Sequence, residues 1–386
     1  MRETPVLSSR TLSERAGGTV VLKAENLQRT GSFKIRGALA KLAALGDGCA
    51  QGVITASAGN HGQALAYAAR VRGVRCEVVM PERASIGKLD AAVGLGATVE
   101  LLGATIQESL AAARERADRE HLALVHPFDD PDVIAGQGGV GLELLAQVPD
   151  VSTVIVPVGG GGLASGVAIA LKSQRPDIRV VGVQVATCAP FPASIKAGRP
   201  VAVDSALTIA DGIAVKQPGE LTLPLIERWV DEIVVVGEDD VGEAMVFLLE
   251  RAKLVVEGAG AVGVAALLSG VVKPAREGTT VVILSGGNVD AGLLAEIVRR
   301  HESQVGRRLV LLARIPDLPG SLARLLALVA DEGANLLDVI HMREGLDLHV
   351  RETAVQLVLE TRGAAHAQAV AEAVRKAGYD EPRPLR

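Results

Sequence analysis

Through the first three hundred residues, short β-branched runs alternate with Ala- and Leu-rich stretches, and this alternation limits the fold more than any other feature. Residues 52–55, 76–80, 99–102, 151–158, 180–185, 233–236 and 280–284 read as strands. Residues 60–72, 106–120, 162–173, 241–253 and 259–268 fit helices between them. A parallel strand pair needs a long crossover, which a helix supplies, so the pattern predicts an α/β fold with parallel sheets covered by helices. The core chemistry agrees. Hydrophobic residues make up 48% of the chain, yet only four Phe, two Tyr and one Trp are present, leaving Val, Leu, Ile and Ala to fill the interior. At 386 residues there is room for two or three domains.

After about residue 300 the pattern changes. A strand at 309–315, a turn at 316–320, a helix at 321–332, strands at 336–342 and 353–360 and a helix at 364–377 predict a separate βαββα unit, with a weak final strand after Gly378. The boundary is expected in 299–308, where charges cluster.

Forty basic and forty-five acidic side chains give a net charge of −5 with no long basic run. Nucleic acid is therefore not an expected partner, the stacking aromatics also being scarce. Cys49, Cys76 and Cys188 form no CxxC pair and are expected to be reduced and buried, and no metal site is expected. Residues 151–171 carry no charge over a length able to cross a bilayer, but Pro157 and four consecutive glycines would break such a helix. No membrane span is expected, and the start of the chain, lacking an apolar run, predicts a cytoplasmic location.

Ligands of parallel sheets bind beyond the carboxyl ends of the strands, and three strand-to-helix turns are unusual. Residues 55–63, Thr-Ala-Ser-Ala-Gly-Asn-His-Gly-Gln, surround a helix start with N–H groups, hydroxyls and amides suited to a carboxylate. Gly159, Gly160, Gly161 and Gly162 let the backbone close around a phosphate at the start of the next helix. Ser285-Gly-Gly-Asn288 puts a hydroxyl at the end of a strand. Each has an ordinary reading: Ser57 and Asn60 as helix caps, His61 as a capping or core histidine, the glycines as a plain loop. The glycine run also fits a dinucleotide fingerprint through Gly159, Gly161 and Ala164, but the acid wanted at the end of the following strand is replaced by Gln184.

The segment Lys23-Ala-Glu-Asn-Leu-Gln-Arg-Thr-Gly-Ser-Phe33-Lys34-Ile-Arg-Gly-Ala38 closely resembles the lysine motif of the fold type II pyridoxal-phosphate enzymes, and within them the threonine dehydratases. The turns at 57–63, 159–162 and 285–288 match in the same order, as do 126–137 and 210–212, so the resemblance spans residues 4–295. It implies a catalytic domain over 1–300 built of two α/β/α subdomains, the smaller (roughly 26–125) inserted in the larger, with the cofactor between them. The tail 308–386 is similar to an ACT domain, with Asp317, Gly320 and Asn335 where such modules hold amino-acid effectors.

The resemblance implies Lys34 as the residue that condenses with the aldehyde of pyridoxal 5'-phosphate and later serves as base. A desolvated amine has the lowered pKa this needs. It further implies Asn60 against the ring hydroxyl, Gly159 to Gly162 around the phosphate, Ser285 at the pyridine nitrogen, and Ser57, Ala58, Gly59, Asn60 and His61 around the substrate carboxylate. Phe33 is read either as packing on the ring side of the site or as ordinary core. The activity implied is conversion of L-threonine, and also L-serine, to the 2-oxo acid and ammonia, in a homo-oligomer (dimer or tetramer) under amino-acid control. The alternatives are a serine dehydratase or racemase and a non-catalytic amino-acid sensor. An oxidoreductase reading rests on the glycine run alone and leaves Lys34 unexplained. Two departures stand out. The chain begins almost at Thr4-Pro5, where family chains carry a preceding helix, and Gln184 and Pro190 occupy the positions at which related serine racemases have acidic cation ligands.

Overall fold

The computed structural model describes residues 1–204 and 207–383. The chain divides into two compact units, Met1–Asp290 and Ala291–Arg386. The division precedes the charged stretch 299–308 because the helix Ala291–Gln304 is counted with the second unit, where it packs on that unit's first strand.

In the first unit the strands are, in chain order, β1 (Val6–Ser8), β2 (Val20–Lys23), β3 (Val53–Ala56), β4 (Cys76–Met80), β5 (Thr98–Leu101), β6 (Ala123–Leu124), β7 (Val151–Pro157), β8 (Arg179–Val185), β9 (Glu232–Val236) and β10 (Thr279–Ile283). They form a six-stranded sheet ordered β1-β2-β10-β7-β8-β9 and a four-stranded sheet ordered β5-β4-β3-β6. All pairs are parallel except β1 with β2. The smaller sheet lies in sequence between β2 and β7, an α/β insertion in a larger α/β sheet.

The expected strands are present, each within a residue at either end. β3, β4 and β10 are buried at every position, which is why they read as continuous apolar runs instead of alternating ones. Around the larger sheet the core is Val-rich, from Val140 and Leu144 through Val154, Val156 and Val167 to Val281 and Ile283. Around the smaller it runs from Ile35 and Leu42 through Leu65 and Val78 to Met80. Burying each such Val, Leu or Ile contributes about 1.5–3 kcal/mol. β1, β2 and β6 are additional to the expected strands; β6 is only two residues long, too short to show a pattern.

One helix differs from expectation. Glu238–Phe247 starts three residues before 241, because Asp240 reaches back to the Gly237 N–H (3.1 Å) and three acids suit the first turn. Its continuation, Leu248–Ala252, is a π-turn ending at Lys253, whose φ is +60°. The uncharged stretch 151–171 is β7, the glycine turn and part of the helix Gly162–Lys172. Among the described residues no helix is long and apolar enough to cross a membrane. All three cysteines are free and buried.

Each sheet reverses its strand order once. In the larger sheet β8 and β9 extend to one side of β7 while β10 and β2 lie on the other; in the smaller, β4 and β5 lie on one side of β3 and β6 on the other. Such switch points open a crevice at the carboxyl ends of the strands. The turns at 57–59, 126–130, 159–161 and 284–288 follow β3, β6, β7 and β10, the four strands that flank the two switch points.

The second unit contains β11 (Arg308–Pro316), β12 (Asn335–Met342) and β13 (Glu352–Glu360) in an antiparallel sheet ordered β11-β13-β12, with the helices Ser321–Asp331 and Ala364–Lys376 closing a core of Ile315, Leu325, Leu357 and Val370. Residues 379–383 do not form the expected last strand; Asp380 O instead accepts from Arg314 N at 2.8 Å. Residues 384–386 of that expectation lie outside the described ones.

Candidate active site

Lys34 is the first residue of the helix Lys34–Leu45, reached from β2 by a tight passage through Thr30 and Gly31, both at positive φ. A side chain at Gly31 would meet Asn288 Oδ1 at 2.3 Å, so this turn closes directly on the turn after β10. Backbone bonds join the two: Phe33 N donates to Ser285 O (3.0 Å), Gly287 N to Gly31 O (2.9 Å) and Asn26 N to Leu284 O (2.9 Å). Lys34 and Ser285 are thereby neighbours across the closed chain.

Lys34 Nζ donates to the backbone carbonyl Pro127 O at 2.7 Å and lies 5.3 Å from the centre of the Phe33 ring. Burial lowers its ammonium to about 8, against the pull of Glu257. The next residue along, Phe128, lies under the glycine turn: a Cβ on Gly160 would sit 2.4 Å from its ring. Gly161, at φ +99°, caps the helix Gly162–Lys172, whose first N–H groups have no partner within the helix. A desolvated amine and the start of the helix Gly162–Lys172 thus share the segment 126–130.

The loop after β3 does not behave as a helix cap. The helix Asn60–Arg72 is capped by Gly59 with no side-chain bond, and Ser57 Oγ accepts from Gly59 N at 3.2 Å. Asn60 instead donates from Nδ2 to Glu257 Oε1 (2.7 Å) and accepts at Oδ1 from Asn288 Nδ2 (2.7 Å). Glu257 N in turn donates to Gly286 O (3.1 Å). His61 is 3% exposed, with Nε2 at 3.1 Å from Val125 O and Nδ1 without a partner among the described residues. Burial holds its imidazolium down to about 3, so it is neutral. Ala58 has only a methyl group to offer beside Ser57.

Glu257 is not legible in the sequence. Nothing in Val256-Glu257-Gly258 marks it, and its partner Asn60 is far off along the chain. It is 5% exposed, and burial, aided by Asp211, pushes its carboxyl up to about 7 while Asn60, Lys88 and the Asn288 N–H pull the other way. A carboxyl raised on folding stabilises fully below its unfolded value of 4.5 and loses that contribution as the pH rises to about 7. In the cofactor-free protein, the urea stability of wild type relative to Glu257→Gln should therefore match near pH 4.5 and fall by about 3 kcal/mol by pH 8. A pH-independent difference would mean that this carboxyl does not titrate there.

Gln184 is fully buried and braces the same region, donating to Val158 O (3.3 Å) and accepting from Phe191 N (3.1 Å). In the second unit, Asp317 is held by Arg343 (2.5 and 3.1 Å), Gly320 caps its helix at φ +83°, and Asn335 donates to Glu360 (3.1 Å); Asp317 and Asn335 are thus engaged within the unit.

Residues 1–286 match the family described as "Pyridoxal-phosphate dependent enzyme". The chain belongs to this family. It is 43% identical over 381 residues to an L-threonine ammonia-lyase of Thermotoga maritima, covering 98% of this chain and 94% of the relative. Among solved structures, it resembles a threonine deaminase of T.th. (43% identity, TM-score 0.70, 75% of this chain and 94% of the other). It also resembles maize serine racemase (36% identity, TM-score 0.73, 78% and 93%).

As a member of the family the enzyme uses pyridoxal phosphate, and its residues fit that group. The Lys34 amine is desolvated and bonded to a neutral carbonyl, so it can shed its proton near physiological pH. The glycine turn has no room for side chains and leads into a helix start whose first N–H groups have no partner within the helix. Ser285, 3% exposed, carries a neutral hydroxyl in the turn whose backbone carbonyl accepts from Phe33 N.

Proposed function

We propose that this enzyme is an L-threonine ammonia-lyase that converts L-threonine to 2-oxobutanoate and ammonia and also acts on L-serine. The observation that carries the reading is Lys34: a desolvated amine on a backbone carbonyl, flanked by the Ser285 turn and the glycine turn. Similarity to the Thermotoga enzyme along nearly the whole chain supports the substrate.

When bound, pyridoxal phosphate supplies an aldehyde that condenses with amines and a ring that accepts the electron pair left when the Cα proton departs. Gly159 to Gly162 would hold its phosphate by backbone N–H groups. Asn60, oriented by Glu257 and Asn288, would meet the ring oxygen. Ser285 would offer the ring nitrogen a hydroxyl in place of a carboxylate, a pairing that leaves such a nitrogen largely neutral and favours elimination over transamination. Ser57 to His61 and the start of the helix Asn60–Arg72 bind the substrate carboxylate. Lys34 Nζ would take the Cα proton, the β-hydroxyl would leave as water with a proton equal to the one taken from Cα, and hydrolysis of the released enamine would give the 2-oxo acid and ammonia. Formation of 2-oxobutanoate from L-threonine by the purified holoenzyme tests the reading; a cofactor-loaded protein that forms none overturns it and leaves a serine dehydratase or racemase, or a sensor.

Ala58 favours elimination over racemisation, which needs a proton donor on the face of Cα opposite Lys34, since a methyl group cannot provide one. Chiral chromatography after incubation with L-serine should show pyruvate and essentially no D-serine, and Ala58→Ser should raise D-serine about tenfold or more. D-serine at a rate comparable to pyruvate in the wild type would refute the assignment.

Residues 308–386 are proposed to be an ACT-like module that binds a small aliphatic amino acid such as isoleucine or valine, using the N–H groups at the start of the helix Ser321–Asp331 and the neighbourhood of Asp317, Gly320 and Asn335. Homo-oligomerisation would let such a ligand act on the active site. Threonine turnover should then respond to one of these amino acids, and a chain ending near residue 308 should turn over threonine without that response. Unchanged kinetics of the full chain with every amino acid would leave only a dimerisation role.

A further inference from the structure

The glycine turn is held from outside by a second arrangement, built from Thr222, which no motif marks, and from Asp129 in the segment 126–137. Thr222, fully buried at the start of the helix Thr222–Trp229, donates from Oγ1 to Gly160 O at 2.6 Å and accepts from Gly219 N at 3.0 Å. That helix start is gathered by one carboxylate: Asp129 accepts from Glu220 N (3.0 Å), Leu221 N (3.0 Å) and Thr222 N (3.1 Å). The fit leaves no slack, since a Cβ on Gly219 would lie 2.0 Å from Asp129 Oδ1 and one on Gly161 would lie 2.8 Å from Thr222 Cβ. Asp129 is itself fixed, its N–H donating to His126 Nδ1 at 2.8 Å.

A trans peptide points its N–H opposite its C=O. Locking the Gly160 carbonyl onto Thr222 therefore aims the Gly161 N–H away from Thr222, with no side chain in the turn to resist or assist. The glycines by themselves permit many orientations of this peptide; the Thr222 hydroxyl selects one.

We infer that Thr222 and Asp129 are positioning residues for the phosphate cradle: Asp129 sets the helix start, and Thr222, seated by it, fixes the Gly160–Gly161 peptide so that its N–H is preset to receive the phosphate. This rests on the reading of Gly159 to Gly162 as the phosphate site. A preset donor improves binding by removing the cost of ordering the loop, so its loss should be felt by a phosphate ester and not by the same ring without phosphate.

The test is titration of the cofactor-free protein with pyridoxal phosphate and, separately, with pyridoxal, followed by absorbance. Both condense through the same amine, so their ratio isolates the phosphate. Thr222→Val keeps the shape and removes the hydroxyl; it should weaken pyridoxal phosphate about tenfold while leaving pyridoxal within about twofold. Thr222→Ser, which restores the hydroxyl, should return to wild-type values, and Asp129→Asn should give a smaller loss of the same selective kind. Equal weakening of both compounds, or of neither, by Thr222→Val overturns the proposal. A wild type that fails to prefer pyridoxal phosphate to pyridoxal overturns the cradle reading itself, and the proposal with it.

Discussion

Replacing Lys34 with Ala should lower threonine turnover by more than about 10⁴-fold while leaving the fold intact, since both covalent attachment and the Cα base are lost together. The fold should survive because Lys34 Nζ contributes one hydrogen bond, to Pro127 O, and carries a desolvation cost that Ala does not. Far-ultraviolet circular dichroism and the steady-state rate check the two halves. Borohydride reduction of the holoenzyme followed by peptide mapping should put the label on Lys34. The rival amines are poorly suited: Lys23 is buried against Glu143 at 2.5 Å, and Lys41 is paired with Asp130 (2.7 Å) and Asp132 (3.0 Å), whereas Lys34 Nζ rests on a carbonyl. A label on Lys23 or Lys41 would sink the assignment.

The largest effect on stability is expected two residues further along. Arg36, on the same helix as Lys34, is fully buried and makes paired hydrogen bonds to Glu25 (2.7 and 2.8 Å) and to Glu143 (2.7 and 2.9 Å). Lys23 joins through Glu143, and Thr4 through its own carbonyl and hydroxyl. The network ties the first residues of the chain, the approach to Lys34 and the helix Pro131–Gln147 into one electrically balanced cluster of two cations and two anions. Breaking a buried pair from one side leaves a charge uncompensated, at about 3–5 kcal/mol. Arg36→Leu should lose that much in urea unfolding, and adding Glu25→Leu should recover part of it, because the pair removed together leaves fewer orphaned charges. A single substitution costing under about 1 kcal/mol would show that water reaches the cluster.

The site is legible wherever its chemistry lies in one short window. The glycines after β7 and the hydroxyl after β10 are strand-to-helix turns, and turns are written locally in Gly, Ser and Asn; Lys34 is marked by the resemblance of residues 23–38 to a known lysine motif. The α/β alternation is legible for the same reason, since strand and helix periods are read over a few residues, and continuous burial makes β4 and β10 plain. Asn60 shows the limit. Its type and place equally suit a helix cap, and only the closed chain gives its amide to Glu257 and its carbonyl to Asn288. Glu257 and Thr222 leave no trace in the sequence, each being an ordinary residue whose partner comes from another element, and Asp129, although it lies in the matching segment 126–137, shows nothing there of its bonds to residues 220–222. So the sequence by itself determined the layered α/β architecture and the turns suited to an anion, through local propensity and backbone sterics, while its resemblance to a known lysine motif singled out Lys34. The tertiary structure alone decided which of those turns meet, how Asn60 and the Gly160–Gly161 peptide are oriented, and how far the Lys34 and Glu257 pKa values move. Desolvation and hydrogen-bond pairing belong to an enclosed volume, and a linear chain has none until its distant segments close around it.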